Sequence, residues 1–407
     1  MAGFNVWQTA WRNVWRNSRR STITIIAIAF ALVVTTLYSG MIAGYLADME
    51  RGVLDYEIGD LQIFAADYQR KPSIYSDVKD ADAVVSRLEQ AGFRASARYL
   101  AGGLAAAGDS SAGVSIRGVD PVRDLGVSKL GLQLADGVWL DDAAPREVVV
   151  GKRLARTLGI AKGAEVVVLT QAADGSTANQ LYKVRGVLKG IGDGTDRGGF
   201  FMTVGAFREL MVYQGGAHQI LVRRPAALSL DAAAVRARAL APGLDVSTWK
   251  QILPTLATML DAAHGAGLVM SFIIYLAIGI VILNAMLMAV FERVRELGVL
   301  KAIGMGPWTV LWMVLLESLM QAAVAVVIGL ALAAPLAWYL AAVGIDQGKL
   351  ANVSTQGIAR SAIWRGEFTP QTFIGSVLML LSIVTCAVIY PAIKAARLRP
   401  IEAMRHQ

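Results

Sequence analysis

The sequence predicts an α-helical membrane protein with four transmembrane helices and one α+β domain outside the membrane. Two observations carry this fold class. Four long stretches are almost free of charge, and a mixed-composition region of 214 residues, from Asp48 to Asp261, separates the first two of them. Of the 407 residues, 55% are hydrophobic and 17% are charged, whereas soluble chains carry about 25% charged residues. One Cys and three His exclude a disulfide framework and a Cys/His-rich metal site.

Each charge-poor stretch is long enough to cross a bilayer, whose core needs about 20 apolar residues of helix. Residues 21–47, 265–291 and 370–393 contain no charge, and residues 308–343 contain one acid, Glu317. Buried core helices rarely run so long without charge. A cleaved signal peptide would have an apolar region of only about 7 to 15 residues. We therefore predict four transmembrane helices, TM1 to TM4, at these ranges in chain order.

Basic residues beside these stretches set the orientation, because cytoplasmic flanks are enriched in Lys and Arg. Three patches, at residues 12–20, 292–301 and 394–405, together carry eleven bases and three acids, which accounts for the whole net charge of +8. The sequence therefore predicts cytoplasmic termini, with a tail at 394–407, and a cytoplasmic loop at 292–307. Residues 48–261 and the loop 344–369 should lie outside the cytoplasm. The positive net charge of the chain is thus explained by the membrane topology, without nucleic-acid binding.

The outer region, residues 48–261, is predicted to consist of two end segments with an insert between them. Alternating and periodic patterns predict strands and helices at its two ends, about 55–125 and 215–261, which would combine into one α/β lobe. The insert, about 126–214, is rich in strands, and Asp174-Gly175 is typical of a hairpin turn. The predicted elements are strands at 61–64, 93–107, 113–119, 147–150, 165–170, 181–188, 199–203, 218–223 and 244–248, and helices at 80–91, 151–158 and 229–240.

Residues 1–20 are predicted to form an amphipathic helix. Trp7, Trp11 and Trp15 recur every four residues beside a row of arginines. An aromatic stripe next to a cationic stripe is typical of a helix in the lipid headgroup layer. The alternative is a cytoplasmic helix packed on the transmembrane helices.

The sequence offers no catalytic site. The string nearest to a phosphate-binding loop, Gly103 to Ser110, has Asp109 where the motif needs Lys, and a carboxylate there would repel phosphate. His218 and His264 lie in ordinary strand and helix surroundings, so we expect structural roles for both. We therefore expect no catalytic residue, no metal site and no cofactor bound by this chain.

Two features of the charge-poor stretches remain. Glu317 is an acid at membrane depth, where ionisable groups are costly and are candidates for function. We favour a helix-packing role, with Asn284 or an Arg at the cytoplasmic end as its partner, over a role in proton or substrate movement. Gly40 and Gly44 have the spacing that lets two helices approach closely, and they suggest a dimer contact.

The loop after TM2 combines both charge signs with an apolar stripe at helical spacing, Leu297, Leu300 and Ile303. A short helix of this kind on the cytoplasmic face is suited to docking on a partner protein, whereas a plain solvated turn does not need the stripe.

Three strings in this chain resemble the membrane subunits of the MacB/LolE/FtsX superfamily of ABC transporters: Glu292 to Gly304, Ala10 to Thr22 and Tyr390 to Arg405. Two strings of the insert, Glu147 to Ala155 and Tyr182 to Val187, are similar as well. The resemblance implies an inner-membrane permease subunit with a periplasmic domain of porter-like and sabre-like lobes. It also implies a dimer with a second permease chain, the same or homologous, and a separate cytoplasmic ATPase dimer that holds ATP and Mg²⁺.

The resemblance further implies that residues 292–307 form the coupling helix, which would contact the ATPase. The residues assigned to this role are Glu292, Arg293, Arg295, Glu296, Leu297, Gly298, Leu300, Lys301 and Gly304.

The long loop 344–369 favours the lipoprotein-releasing LolC/LolE branch, with a lipid-linked or periplasmic substrate, a periplasmic carrier or partner protein, and membrane lipids as further partners. Two other hypotheses stay open: an FtsX-like scaffold that transmits force to a periplasmic partner, and a membrane-anchored enzyme or sensor.

Overall fold

The computed structural model describes residues 6–16, 18–346 and 363–397. The described residues divide into two units. The membrane unit comprises residues 6–47, 260–346 and 363–397, and the outer unit comprises residues 48–259. The expected loop 344–369 and the cytoplasmic tail 394–407 fall largely outside the described residues, and so do the first five residues of the expected N-terminal helix.

Four helices of the described chain are long and apolar enough to cross a membrane, which agrees with the predicted fold class. They are α2 (Ser18–Val53), α10 (Pro254–Glu292), α12 (Pro307–Ala342) and α13 (Pro370–Arg397). Helices α2 and α10 are longer than the charge-free stretches, because charged residues do not end a helix. A π-helical turn, Leu54–Ile58, follows α2 and stops at Gly59, whose positive φ of 69° favours glycine.

The core of the membrane unit lies where all four long helices meet. Its buried side chains include Ile28 and Leu32 of α2, Ile282 of α10, Ala325 of α12 and Val384 of α13. Within lipid the packing of side chains, rather than escape from water, holds helices together. Small residues such as Ala325 therefore allow the helices to approach closely.

Helix α1 (Val6–Arg16) packs on α12 through Val14, which is fully buried against Leu316 and Met320. Its three tryptophans are exposed: Trp7, Trp11 and Trp15 keep 62%, 47% and 54% of their surface. One face of the helix thus packs on a long helix, and the other presents an aromatic stripe. The position of that stripe in the lipid headgroup layer stays a prediction.

The two ends of the outer unit pair in one antiparallel arrangement. Strand β1 (Leu61–Phe64) lies between β9 (Gln219–Arg223) and β10 (Asp245–Thr248), with Leu61 opposite both Val222 and Thr248. Helices α3 (Ala81–Gln90) and α8 (Leu230–Leu240) belong to the same part of the unit. The short helix α9 (Trp249–Ile252) follows β10. In the membrane unit, the short helix α11 (Val294–Ala302) precedes α12.

The insert continues the same sheet instead of forming a sheet of its own. Its elements are α4 (Pro121–Val127), β4 (Leu134–Gly137), β5 (Glu147–Val150), α5 (Lys152–Leu158), β6 (Glu165–Gln171), β7 (Thr177–Leu188), α6 (Asp193–Gly198), β8 (Gly199–Thr203) and α7 (Val204–Met211). The long strands β2 (Arg94–Ala107) and β3 (Ser110–Val119) join it to the terminal strands. The strand order is β10-β1-β9-β2-β3-β8-β5-β7-β4, and β6 pairs with both β2 and β7. Strands β2, β3, β8, β5, β7 and β6 therefore close a ring.

Four elements of the insert, α4, β4, α6 and α7, were not expected from the sequence. For α4 a signal exists: the Asp120 side chain accepts hydrogen bonds from the N–H groups of Val122 and Arg123, and Pro121 occupies the first helical position. Asp followed by Pro is a common start of a helix. The predicted hairpin is present, with β6 and β7 joined by residues 172–176 and Gly175 at a φ of +87°.

A short pair of strands, β11 (Ile345–Asp346) and β12 (Ile363–Trp364), belongs to the membrane unit. It brackets residues 347–362, which lie outside the described chain.

Candidate functional site

The site singled out by the sequence is a short helix, α11, between two long ones. Arg293 directly precedes its first residue, and Gly304 follows its end with a φ of +103°. The N–H of Met305 donates to the carbonyl of Leu300, and Pro307 then begins α12. Only glycine adopts this φ without strain, so the assigned Gly304 sets the direction in which the chain leaves α11.

Two of the three residues of the predicted apolar stripe, Leu297 and Leu300, pack on the chain's own helices. Leu297 is 4% exposed and belongs to a cluster with Val290, Val310, Met313 and Ala395, and Leu300 packs partly buried against it. Gly298 is buried on the same side. Leu297 is therefore covered within the chain, whereas Leu300 is only partly buried and Ile303, the third residue of the stripe, is 79% exposed. Periodicity shows that a face is apolar without showing what covers it, and the contact of this helix with an ATPase stays a prediction.

Arg293 forms an ion pair with Glu317 of α12. Its Nη1 donates to both carboxylate oxygens, at 2.8 and 2.9 Å, and each side chain is 12% exposed. Arg293 was assigned to the ATPase contact and Glu317 was treated as a separate intramembrane acid. The structure brings the two together, and it supports the packing role for Glu317 with an Arg as its partner, not Asn284.

Two more assigned residues hold α11 in place. Lys301 donates from Nζ to the carbonyl of Ala396, at 2.7 Å, near the end of α13. Glu296 pairs with Arg16 of α1 at 3.2 Å, although both side chains are more than half exposed, and such surface pairs stabilise by only about 0–1 kcal/mol. Helix α11 is thus tied to α12, α13 and α1 at once.

The opposite side of α11 is exposed. We call Arg295, Val299 and Ile303 the exposed face of α11; they are spaced by four residues, and Ile303 keeps 79% of its surface. Arg295 and Val299 also border the groove described next. Glu292 and Gly304 are exposed as well. Val299 was not among the assigned residues, although the same four-residue spacing could have revealed it. An exposed apolar pair with a cation beside it is suited to protein contact.

A groove of about 490 Å³ lies between α10, α11 and α12. Its walls include Met286, Val290, Met313 and Val314, and Arg16, Arg293, Arg295, Glu296 and Glu317 line it as well. This groove could not be predicted from the sequence, because its residues come from four separate helices.

The two glycines proposed for a dimer contact are covered within the chain. A Cβ atom at Gly40 would lie 2.1 Å from the Phe368 ring, and one at Gly44 would lie 2.2 Å from the carbonyl oxygen of Arg365. The N–H of Glu367 also donates to the carbonyl of Gly40. These glycines allow close approach, as their spacing indicated, and in this structure the segment that approaches them is residues 365–368 of the same chain.

The outer unit contains His218, one of the two histidines for which the sequence predicted a structural role. His218 is fully buried; its Nδ1 accepts from the N–H of Leu100 and its Nε2 donates to the carbonyl of Ile74. Burial lowers the pKa of His218, against the opposing effects of its bond to Ile74 and the charge of Asp77. Over the residues described, no group of three or more His, Cys, Asp or Glu could hold a metal ion.

Comparison with known families matches nearly the whole chain. The model of the MacB-like periplasmic core domain matches residues 21–240, more than half of the chain, and that of the FtsX-like permease C-terminal domain matches residues 268–400. The uncharacterized ABC transporter permease YknZ of Bacillus subtilis (strain 168) is 33% identical over 129 residues, which are 32% of this chain. The matched part spans only 28% of YknZ.

Two solved structures are similar at low identity. The periplasmic region of MacB from Actinobacillus actinomycetemcomitans is 12% identical, with a TM-score of 0.38, and the match covers 52% of this chain and 98% of that one. The extracellular domain of the noncanonic ABC-type transporter YknZ from Gram-positive bacteria is 15% identical, with a TM-score of 0.34, covering 46% and 98%. On the strength of the two family matches, this multi-pass membrane protein belongs to the MacB/FtsX family of permeases, with a MacB-like periplasmic core domain and an FtsX-like permease C-terminal domain.

Proposed function

We propose that this chain is the permease subunit of an ABC transporter in which α11 docks on a separate cytoplasmic ATPase dimer. The observation that carries the proposal is the two-sided character of α11. One side is fixed to the membrane unit by Leu297 and by the Arg293–Glu317 pair, and the other side is exposed. A helix fixed in this way passes a push on its exposed face to α12 and α13.

ATP and Mg²⁺ belong to the partner ATPase in this proposal, and this chain supplies no catalytic residue. Its termini and α11 are on the cytoplasmic side of the inner membrane, as the basic patches indicate. A second permease chain, the same or homologous, completes the transporter. Since Gly40 and Gly44 are covered by residues 365–368, the contact between the two chains uses other surfaces.

The work done by the ATPase moves the outer unit. Helices α2 and α10 continue without a break past residues 47 and 260, where the two units divide. The four long helices contain one acid at membrane depth, Glu317, and it is paired with Arg293. The helices therefore offer no charged lining to a polar solute. We therefore propose a lipid-linked or periplasmic substrate, as in lipoprotein release, delivered to a periplasmic carrier. The FtsX-like scaffold would share the ATPase contact and move a periplasmic partner without transport.

The docking step is tested by exchanging one exposed side chain. Ile303→Asp places a charge on the exposed face of α11 without entering the core, so the ATPase should no longer copurify with the permease, while the permease keeps its thermal stability. An apolar residue at the centre of a contact commonly carries a large part of its affinity. The matched control is Ile345→Asp, the same exchange at an exposed residue beyond the other end of α12. Full copurification of the ATPase with Ile303→Asp would contradict the proposal.

A further inference from the structure

The groove between α10, α11 and α12 has two chemically different parts. The apolar part comes from the last turns of α10 and the second and third turns of α12, with Met286, Val290 and Met313 among its walls. The charged part comes from the end of α1, from Arg293 and the start of α11, and from Glu317 of α12. At about 490 Å³ the groove lies in the size range of small-molecule sites, about 300–1,000 Å³.

The charges in the groove do not cancel. Among the residues that the structure describes, three arginines and two acids line it. Glu317 pairs with Arg293, and Glu296 pairs with Arg16. Arg295 forms no ion pair with any residue that the structure describes. Arg16 is itself largely exposed and keeps donors for another acceptor. The described lining of the groove therefore has one positive charge in excess, at the end where α11 lies.

The surroundings of the groove restrict what can fill it. Helices α10 and α12 are two of the four candidate membrane helices, and only 11% of the most apolar window of α10 is buried within the chain. Water does not fill an apolar groove at membrane depth, but an acyl chain does. Basic pockets between transmembrane helices on the cytoplasmic side are suited to anionic headgroups, and each nearby Lys or Arg contributes about 1 kcal/mol.

We propose that this groove binds one anionic glycerophospholipid of the cytoplasmic leaflet. An acyl chain lies along Met286, Val290, Met313 and Val314, and the headgroup phosphate accepts hydrogen bonds from Arg295 and Arg16. The inference rests on the orientation given under the proposed function, which places α11 on the cytoplasmic side. A lipid held in this way bridges α11 to α10 and α12, so lipid composition would affect how firmly α11 is held.

The test compares two phospholipids with identical acyl chains on the purified full-length permease. Native mass spectrometry counts the dioleoyl-phosphatidylglycerol and dioleoyl-phosphatidylcholine that stay bound after detergent exchange. We expect one retained phosphatidylglycerol per chain and no retained phosphatidylcholine. Arg295→Gln should weaken this binding about fivefold, as expected for one arginine, and Arg16→Gln with Arg295→Gln should weaken it further. The matched control, Arg19→Gln, removes an exposed arginine that does not line the groove and should leave the retained lipid in place.

Two further measurements test whether the site recognises a whole phospholipid or only its phosphate group. Glycerol 3-phosphate alone should not compete for the site, and Val314→Phe, which fills the apolar part, should reduce phosphatidylglycerol binding with Arg295 intact. Equal retention in Arg295→Gln and Arg19→Gln, equal retention of the two lipids, or full competition by glycerol 3-phosphate would each overturn the inference. A second permease copy occupying the groove, seen as crosslinking through a Cys at Val314 in a Cys386→Ser background, would also overturn it. Copurification of the ATPase is measured separately, so failure of the lipid site and failure of the proposed function are distinguishable.

Discussion

Arg293 and Glu317, 24 residues apart in the chain, form an ion pair that joins the start of α11 to α12, with Nη1 at 2.8 and 2.9 Å from the two carboxylate oxygens. Each side chain is 12% exposed, so water screens the pair only weakly. The pair explains how an acid is tolerated in a long apolar helix. It also gives α11 a polar attachment point next to its apolar one at Leu297.

The first prediction concerns this pair. Arg293→Gln alone leaves Glu317 buried beside a neutral amide, and breaking a buried pair in this way costs about 3–5 kcal/mol. The double variant Arg293→Gln with Glu317→Gln carries no buried charge and should recover most of the lost stability. Thermal unfolding of the purified permease in detergent measures both. If the single and double variants unfold at the same temperature, the pair does not stabilise α11.

The second prediction concerns the two glycines of α2. Gly44→Ala would place a Cβ atom 2.2 Å from the Arg365 carbonyl oxygen, which belongs to backbone and cannot rotate away. We expect a loss of about 1–3 kcal/mol, as for other overpacked sites. Gly40→Ala clashes with the ring of Phe368 instead, so Phe368→Ala should rescue it.

The control for these variants is Gly265→Ala in α10, where nothing lies within 4 Å of the added Cβ. Thermal unfolding of the permease is again the measurement. Gly44→Ala with unchanged stability but a lost dimer would instead favour the original interpretation of these glycines as a contact between two chains.

The third prediction is a pH dependence of the outer unit. Burial lowers the pKa of His218 below its ordinary value of 6.5, so the unfolded state binds more protons than the folded state in the range between the two values. The stability that this residue contributes is therefore present above pH 6.5 and is lost as the pH falls through the folded pKa. A proton on Nδ1 would also remove the acceptor of the Leu100 N–H.

Hydrogen exchange at the Leu100 amide, followed from pH 7.5 to pH 5 and corrected for intrinsic exchange, measures this effect. Protection should fall with pH in the wild type, and the fall should be smaller in His218→Gln. Other groups near the ring, Asp77 and the tyrosines 68, 99 and 213, are unchanged in that variant and serve as its internal reference. An identical pH profile in both proteins would show that His218 is not the titrating group.

The fourth prediction is the topology. A Cys at Met305, in a Cys386→Ser background, should be labelled by a membrane-impermeant maleimide only after the inner membrane is opened. A Cys at Gly175, in the exposed β6–β7 turn, should be labelled as soon as the outer membrane is permeable. Labelling of the Met305 site in cells with an intact inner membrane would reverse the proposed orientation and with it the cytoplasmic position of α11.

The strands and helices that the sequence predicted are those whose signal is local. Strands β1, β5 and β8 begin and end at the residues predicted, 61–64, 147–150 and 199–203, because short runs of β-branched and aromatic residues between turn residues suffice to specify them. Helix α6 (Asp193–Gly198), which was missed, is short and polar and has no such pattern.

The sequence by itself determined the four membrane helices, the basic flanks and the location of α11, since the length of an apolar run and the sign of its neighbours are properties of the chain alone. Tertiary structure alone decided what each of these features contacts. It packed Leu297 and Leu300 against the chain's own helices and paired Arg293 with Glu317. It also placed residues 365–368 against Gly40 and Gly44. The physical reason is that an apolar stripe, a buried acid and a small-residue face each have several partners of suitable chemistry. Which partner is chosen depends on how helices distant in sequence pack together.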